Sequence, residues 1–210
     1  FPEELEYSTD DDYRPLEFFL NVIPKSKAID FKLGYFSSSA IKELSDCFAE
    51  FIINNPKSRI RIMTNHFLDD IDKKLVFQEI EKPLSESKIE KWIYNDYCKL
   101  LESLSKRDQH FFECIKYLIS KGRVQILPVI SKGLVHYKEA IYEDFEGNKI
   151  YTNGSCNFTR SGIIENEESF DLTCSWHSEN NLNKINSKKR KYDLIFSKKN
   201  KHYYYVNSIT

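Results

Sequence analysis

Apolar positions fall at helical spacing in parts of the first half of the chain and alternate with polar ones along much of the second. Residues 28–36 (Ala-Ile-Asp-Phe-Lys-Leu-Gly-Tyr-Phe) predict a strand that ends near Gly34. Ser37, Ser38 and Ser39 then offer N-caps for a helix. Its apolar face is Ile41, Leu44, Phe48, Phe51 and Ile52, and Asn54-Asn55-Pro56 stops it. Ser58 to Met63 predicts a second strand. Residues 66–121 have helical character. Ser87 and Glu90 form a capping-box pattern there, and a final helix over 108–121 stops at Gly122. Strands are expected over 123–130, 135–145, 149–154 and 167–176, with a turn at Glu146-Gly147-Asn148. A β-α-β start, a helical middle and a hairpin with a further strand predict one α/β domain with a mixed sheet.

Composition narrows this picture only slightly. At 210 residues the chain fits one domain with a full core, and 15 Phe and 13 Tyr make that core aromatic. The net charge is −1, so any preference for a polyanion must come from a local patch. No apolar run reaches the roughly 18 residues a membrane helix needs. The acidic start, Phe-Pro-Glu-Glu-Leu-Glu, lacks the basic region of a secretion signal. The five cysteines are odd in number and show no CxxC spacing, which fits reduced thiols and a cytoplasmic location. Residues 1–20 are read as an acidic lead-in and 21–183 as the domain. Residues 184–210 are read as a basic, tyrosine-rich segment that either completes the domain or links to another.

The chemistry gathers in three stretches: Leu134-Val-His-Tyr-Lys138, Gly154-Ser-Cys-Asn157 and Asn166-Glu-Glu168. Residues two apart on a strand face the same way, so His136 and Lys138 project together, about 7 Å apart along it. A fixed ammonium beside an imidazole suits a phosphate: the cation holds the anionic oxygens while the ring nitrogen attacks phosphorus. Gly154 allows a tight turn at the end of its strand, and Ser155 and Asn157 supply neutral donors for phosphate oxygens. Glu168 falls on the same face as Phe170, Leu172, Cys174 and Trp176. A carboxylate on an apolar face needs a partner, and an imidazole N–H is a suitable one. Cys156 reads as packing.

His136-x-Lys138, Gly-Ser-x-Asn at 154–157 and the acid at 168 together resemble the phospholipase D superfamily, whose motif is HxKxxxxD followed by GSxN. The resemblance covers residues 134–170 and departs at one position, where Glu143 replaces the family's Asp and is assigned a supporting role with Gly154. Asn157-Phe-Thr-Arg-Ser-Gly162 is similar to the branch found in nucleases and in restriction- or helicase-associated modules. The resemblance implies a mixed β-sheet flanked by helices on both faces. It also implies catalysis by His136, Lys138, Asn157 and Glu168, with Ser155, Lys138 and Asn157 holding the substrate. The resemblance further implies that no metal and no cofactor are required, because lysine and imidazolium would supply the positive charge.

The family reaction uses two histidines, and none of His66, His110, His177 or His202 is followed by Lys two residues later. A two-fold homodimer that brings two copies of His136 and Lys138 together is therefore expected. The expected substrate is DNA, in a nuclease of restriction or defence type, with a helicase or specificity domain as a further partner and no membrane association. Two alternatives are a phospholipid phosphodiesterase or transferase of the same superfamily, and a catalytically silent DNA-binding or dimerisation module. Eight basic residues between Lys184 and Lys201, with Tyr192 and Tyr203–Tyr205, form either a solvated face or a contact for a nucleic-acid backbone. Asp69, Asp70 and Asp72 near His66 read as charge at a helix N-terminus and not as a metal site.

Overall fold

The computed structural model describes residues 1–34, 40, 43–65, 117–131 and 135–205. The serine caps at 37–39, the capping box at Ser87, the acidic cluster with His66, and Cys98 and Cys114 lie outside these residues, as does most of the helical middle. The elements in chain order are β1 (Glu6–Ser8), α1 (Pro15–Val22), β2 (Ala28–Leu33), α2 (Ser45–Asn54), β3 (Arg59–Asn65) and β4 (Val124–Ile130). There follow β5 (Lys138–Glu143), β6 (Lys149–Gly154), a five-residue π-helical turn (Ser161–Glu165), β7 (Ser169–Cys174), α3 (Glu179–Phe196) and β8 (Tyr204–Tyr205). One eight-stranded sheet runs in the order β1-β7-β6-β5-β2-β3-β4-β8. Strands β2, β3 and β4 are parallel and the remaining pairs antiparallel, so the sheet is mixed, as expected.

Helices cover both faces. On one, Phe18 and Phe19 of α1 and Phe48 and Phe51 of α2 pack with Phe31, Tyr142, Phe158 and Phe170. The rings meet mostly edge-on: Phe18 lies 5.3 Å from Tyr142 at 80°, and Phe19 lies 5.5 Å from Phe158 at 80°. On the other face Ile185, Tyr192, Ile195 and Phe196 of α3 cover Met63, Leu127, Val129, Ile141 and Tyr151. The aromatic core expected from composition is therefore real, and it lies on the side of α1 and α2.

Two segments differ from their sequence reading. Residues 1–20 are not simply a solvated lead-in: β1 pairs with β7, Tyr7 is buried, and α1 packs Pro15, Phe18, Phe19 and Val22 onto the core. The acidic residues around Tyr7 hide a single inward side chain, too short a pattern to read as a strand. The basic residues from Lys184 to Lys191 belong to an 18-residue helix, α3, capped by Ser178, whose side chain accepts from the Asn181 backbone N–H at 3.1 Å; Lys198, Lys199 and Lys201 follow its end. Only four of its residues are buried, so its apolar stripe is too thin to show against seven charged neighbours.

Its lysines have inward partners. Lys189 reaches Asp30 at 2.6 Å and Lys188 reaches Glu139 at 2.9 Å, and both carboxylates are buried on the α3 side of the sheet. Part of the basic run offered for nucleic-acid contact is thus used to neutralise the fold's own carboxylates. Arg123, just past the expected Gly122 stop, serves another helix: its guanidinium donates to the Ile52 and Asn55 carbonyls at the end of α2, at 3.0 and 2.6 Å.

Candidate active site

Leu33 pairs with Lys138 and Gly154 pairs with Phe170, so the ends of β2 and β6 meet the starts of β5 and β7 at one edge of the sheet. This is the edge at which the parallel strands β2, β3 and β4 also finish, the usual place for a ligand in an α/β sheet. His136, Lys138, Ser155, Asn157 and Glu168 all sit on the chain segments that gather there.

The His136–Lys138 pairing expected from strand parity is present. Lys138 Nζ lies 3.1 Å from His136 Nε2. An ammonium has no lone pair, so Nε2 accepts and the ring proton belongs on Nδ1. His136 is exposed and Lys138 half-buried. Burial pushes the Lys138 pKa below the usual lysine range, against the pull of the Glu168 carboxylate.

Glu168 falls one residue before β7, on the same side as the buried Phe170, Leu172 and Cys174. Its carboxylate accepts from Asn166 Nδ2 at 3.3 Å, not from the imidazole, and its charge acts on Lys138. The backbone of Glu168 is pinned by Thr9: Thr9 Oγ1 accepts its N–H at 2.9 Å and the Thr9 N–H donates to its carbonyl at 3.0 Å. Nothing in the sequence pattern pointed to Thr9.

Ser155 is committed to the fold. Its Oγ accepts the Ser169 N–H at 3.1 Å and its backbone N–H donates to the Ser169 carbonyl at 2.8 Å, which closes β6 onto β7. Cys156 is buried, and its thiol donates to the Gly162 carbonyl at 3.1 Å. Burial pushes that thiol up to about 12, with Glu168 adding and Lys138 opposing, so it stays protonated near neutral pH. Glu143 stands at the other end of β5, five residues and about 17 Å from Lys138 by strand rise. There it pairs with Lys27 at 3.0 Å and sits 3.9 Å from Lys189, so it supports the strand at a distance from the other residues.

Glycines set the backbone of the site. A Cβ on Gly34 would overlap the Val135 carbonyl oxygen and come within 2.9 Å of His136 Cα. A Cβ on Gly162 would overlap the Asn157 carbonyl oxygen, and one on Gly154 would overlap Ser169 and Phe170. Gly154 is needed for close approach between β6 and β7, not for the turn expected from the sequence. Gly34 and Gly162 were visible as residues, but their contacts join segments far apart in the chain.

Among the described residues no group of three or more His, Cys, Asp and Glu side chains is placed to hold a metal ion. No helix among them is long and apolar enough to cross a membrane.

No family model and no curated protein matches the chain. Solved structures similar to it include the following two. NucT from Helicobacter pylori aligns with a TM-score of 0.49 at 11% identity, over 90% of this chain and 91% of that one. A mutant of yeast tyrosyl-DNA phosphodiesterase aligns with a TM-score of 0.43 at 10% identity, over 80% of this chain but only 30% of that chain's length. The α/β architecture itself, a mixed sheet with helices on both faces, is the one the motif resemblance implied.

Proposed function

We propose that the chain is a phosphodiesterase of the phospholipase D type that cleaves DNA through a phosphohistidine. The observation that carries this reading is the exposed His136 imidazole held 3.1 Å from the Lys138 ammonium at the sheet edge where Asn157 and Glu168 gather. An incoming phosphodiester draws the ammonium onto its anionic oxygens and frees Nε2. Nε2 attacks phosphorus, an N–P bond forms, and the P–O bond to the leaving oxygen breaks. A second imidazolium protonates that oxygen, then takes a proton from the water that breaks the N–P bond.

Among the described residues, His177 follows β7 at the opposite end of the sheet, and His202 precedes the edge strand β8. Neither has a hydrogen bond or ring contact with His136. A second copy of the chain, related by a two-fold axis, supplies the missing imidazole. The similarity of residues 157–162 to restriction- and helicase-associated modules supports a cytoplasmic restriction or defence role, with specificity carried by a further domain.

The test is cleavage of labelled DNA in EDTA, beside phospholipid vesicles, with the mass in solution measured by light scattering. The expected result is metal-free DNA cleavage by a species of twice the chain mass. Strict dependence on Mg²⁺, or full activity as a monomer, overturns the mechanism; hydrolysis of the lipid alone overturns the substrate.

The glycine backing gives a second expectation. Gly34→Ala must push the Val135–His136 backbone outward by a good part of an ångström. A displacement of that size is expected to lower kcat about 100-fold. Rates on a labelled oligonucleotide, with circular dichroism to confirm the fold, check it; an unaltered kcat would show that His136 needs no such backing.

A further inference from the structure

Tyr137 separates His136 from Lys138, one residue before β5, and its ring meets Lys32, whose partner Glu139 faces α3. It is 42% exposed although it sits beside the site. Its ring is nonetheless held. Lys32 Nζ lies 3.2 Å from the ring centroid and so covers one face of the ring. Lys32 is itself fixed, largely buried and 3.6 Å from Glu139, which is held in turn by Lys188 at 2.9 Å and the Tyr192 hydroxyl at 3.0 Å. The phenol of Tyr203 lies close enough to Tyr137 for the two to interact. A ring held through one face by a fixed cation, yet 42% exposed, is a preformed planar surface. Little side-chain freedom remains to be lost when something lies against it. The next exposed ring, Tyr204, is 42% exposed and pairs with Ile130 at the end of β4, along the same sheet edge.

We infer that Tyr137 is a stacking shelf for an unpaired nucleobase next to the scissile phosphate, which makes the preferred substrate a single-stranded oligonucleotide. The inference deepens the phosphodiesterase reading and rests on it. A planar aromatic group joined to a phosphodiester, within reach of a residue flanked by His136 and Lys138, is a nucleotide. In an intact duplex the base faces are covered by their neighbours and cannot lie on a side chain without being extruded. Stacking of this kind tolerates any base, because every base offers a π-face.

The experiment uses the full chain and fluorescence anisotropy with three probes: a single-stranded oligonucleotide, the same strand carrying abasic sites, and the blunt duplex. Wild type is compared with Tyr137→Phe, Tyr137→Trp and Tyr137→Ala. The alanine variant is expected to bind the base-bearing single strand about tenfold more weakly, within the range that alanine replacement of a stacked aromatic produces. The Phe and Trp variants should bind it as wild type does. Wild type should prefer the base-bearing strand over the abasic one, and the alanine variant should not. Equal binding of the single strand by wild type and Tyr137→Ala, or an equal loss on the duplex, overturns the shelf. So does loss of single-strand binding in Tyr137→Phe, which keeps the ring and tests the idea even where alanine perturbs the fold. Cleavage by wild type is scored in parallel. Failure to cut any strand removes the phosphodiesterase reading, while the binding comparison decides the shelf separately.

Discussion

His136→Ala is expected to abolish DNA cleavage and leave the fold intact. His136 is exposed, and its recorded side-chain contact is the 3.1 Å approach of Lys138 Nζ. Truncating an exposed side chain with so little packing changes stability by no more than about 0.5 kcal/mol. On the proposed mechanism the change removes the atom that would bond to phosphorus, and in the proposed two-fold assembly it would also remove the acid for the leaving oxygen. Loss of a nucleophile from a cooperating set typically costs on the order of 10⁶-fold in kcat. The measurement is a single-turnover cleavage rate beside a thermal melt. Cleavage within tenfold of wild type would remove His136 from the reaction, and a collapsed melt would make its role structural. Trapping a phosphorylated protein on acid quench of wild type, absent from the variant, would identify the intermediate directly.

Asp30→Ala is expected to have the largest effect on stability. Asp30 has no exposed surface, and it accepts from Arg61 Nε at 2.6 Å, Arg61 Nη2 at 2.7 Å and Lys189 Nζ at 2.6 Å. Alanine at this position removes the shared acceptor of two cations; Arg61 keeps Asp193 at 2.8 Å and Lys189 keeps only the more distant Glu143 at 3.9 Å as carboxylate partners. Breaking a buried pair from one side costs roughly 3–5 kcal/mol, a large share of the stability of a domain this size. Urea unfolding of the variant should show a lower midpoint with a similar slope, and a midpoint within error of wild type would overturn this account. The pH dependence has a definite sign. Burial alone would raise the Asp30 pKa, but the Arg61 hydrogen bond and the Lys189 charge outweigh it and hold it below the usual carboxylate range. Its stabilising contribution is therefore complete above the unfolded value of about 4 and is lost as pH falls through the lower folded value. The acid limb of the stability curve should be shallower in the variant.

Much of the site was legible because its pieces obey local rules. His136 and Lys138 lie two apart where the chain enters β5, and the expected closeness of their side chains is kept although His136 precedes the strand itself. Phe170, Leu172 and Cys174 alternate inward, which placed Glu168 on their side before its contacts were known. The hairpin through Gly147, which has φ 89°, was marked by its turn residues. Tyr7 and α1 were obscured by the acids around them, and α3 by its lysines. Charge density describes what solvent sees, whereas a strand or a helix can be anchored by very few inward side chains. Within this chain Glu168 meets Asn166 and not the imidazole, because alternation fixes the side of a residue, not its neighbour.

By itself, then, the sequence determined the chemistry on offer and its local geometry: an imidazole and an ammonium on one face, a glycine-serine-asparagine turn after the next strand, and an acid before the one beyond. Only the tertiary structure decided what surrounds them. Gly34 meets the His136 backbone, Thr9 pins Glu168, Lys32 covers the Tyr137 ring, and Lys188 and Lys189 neutralise Glu139 and Asp30. The partners in these contacts lie about fifty to 160 residues apart in most cases, and periodicity reports only on neighbours within a turn or a pleat. Such pairs are selected by the strand order β5-β2-β3, a property of the whole chain's packing.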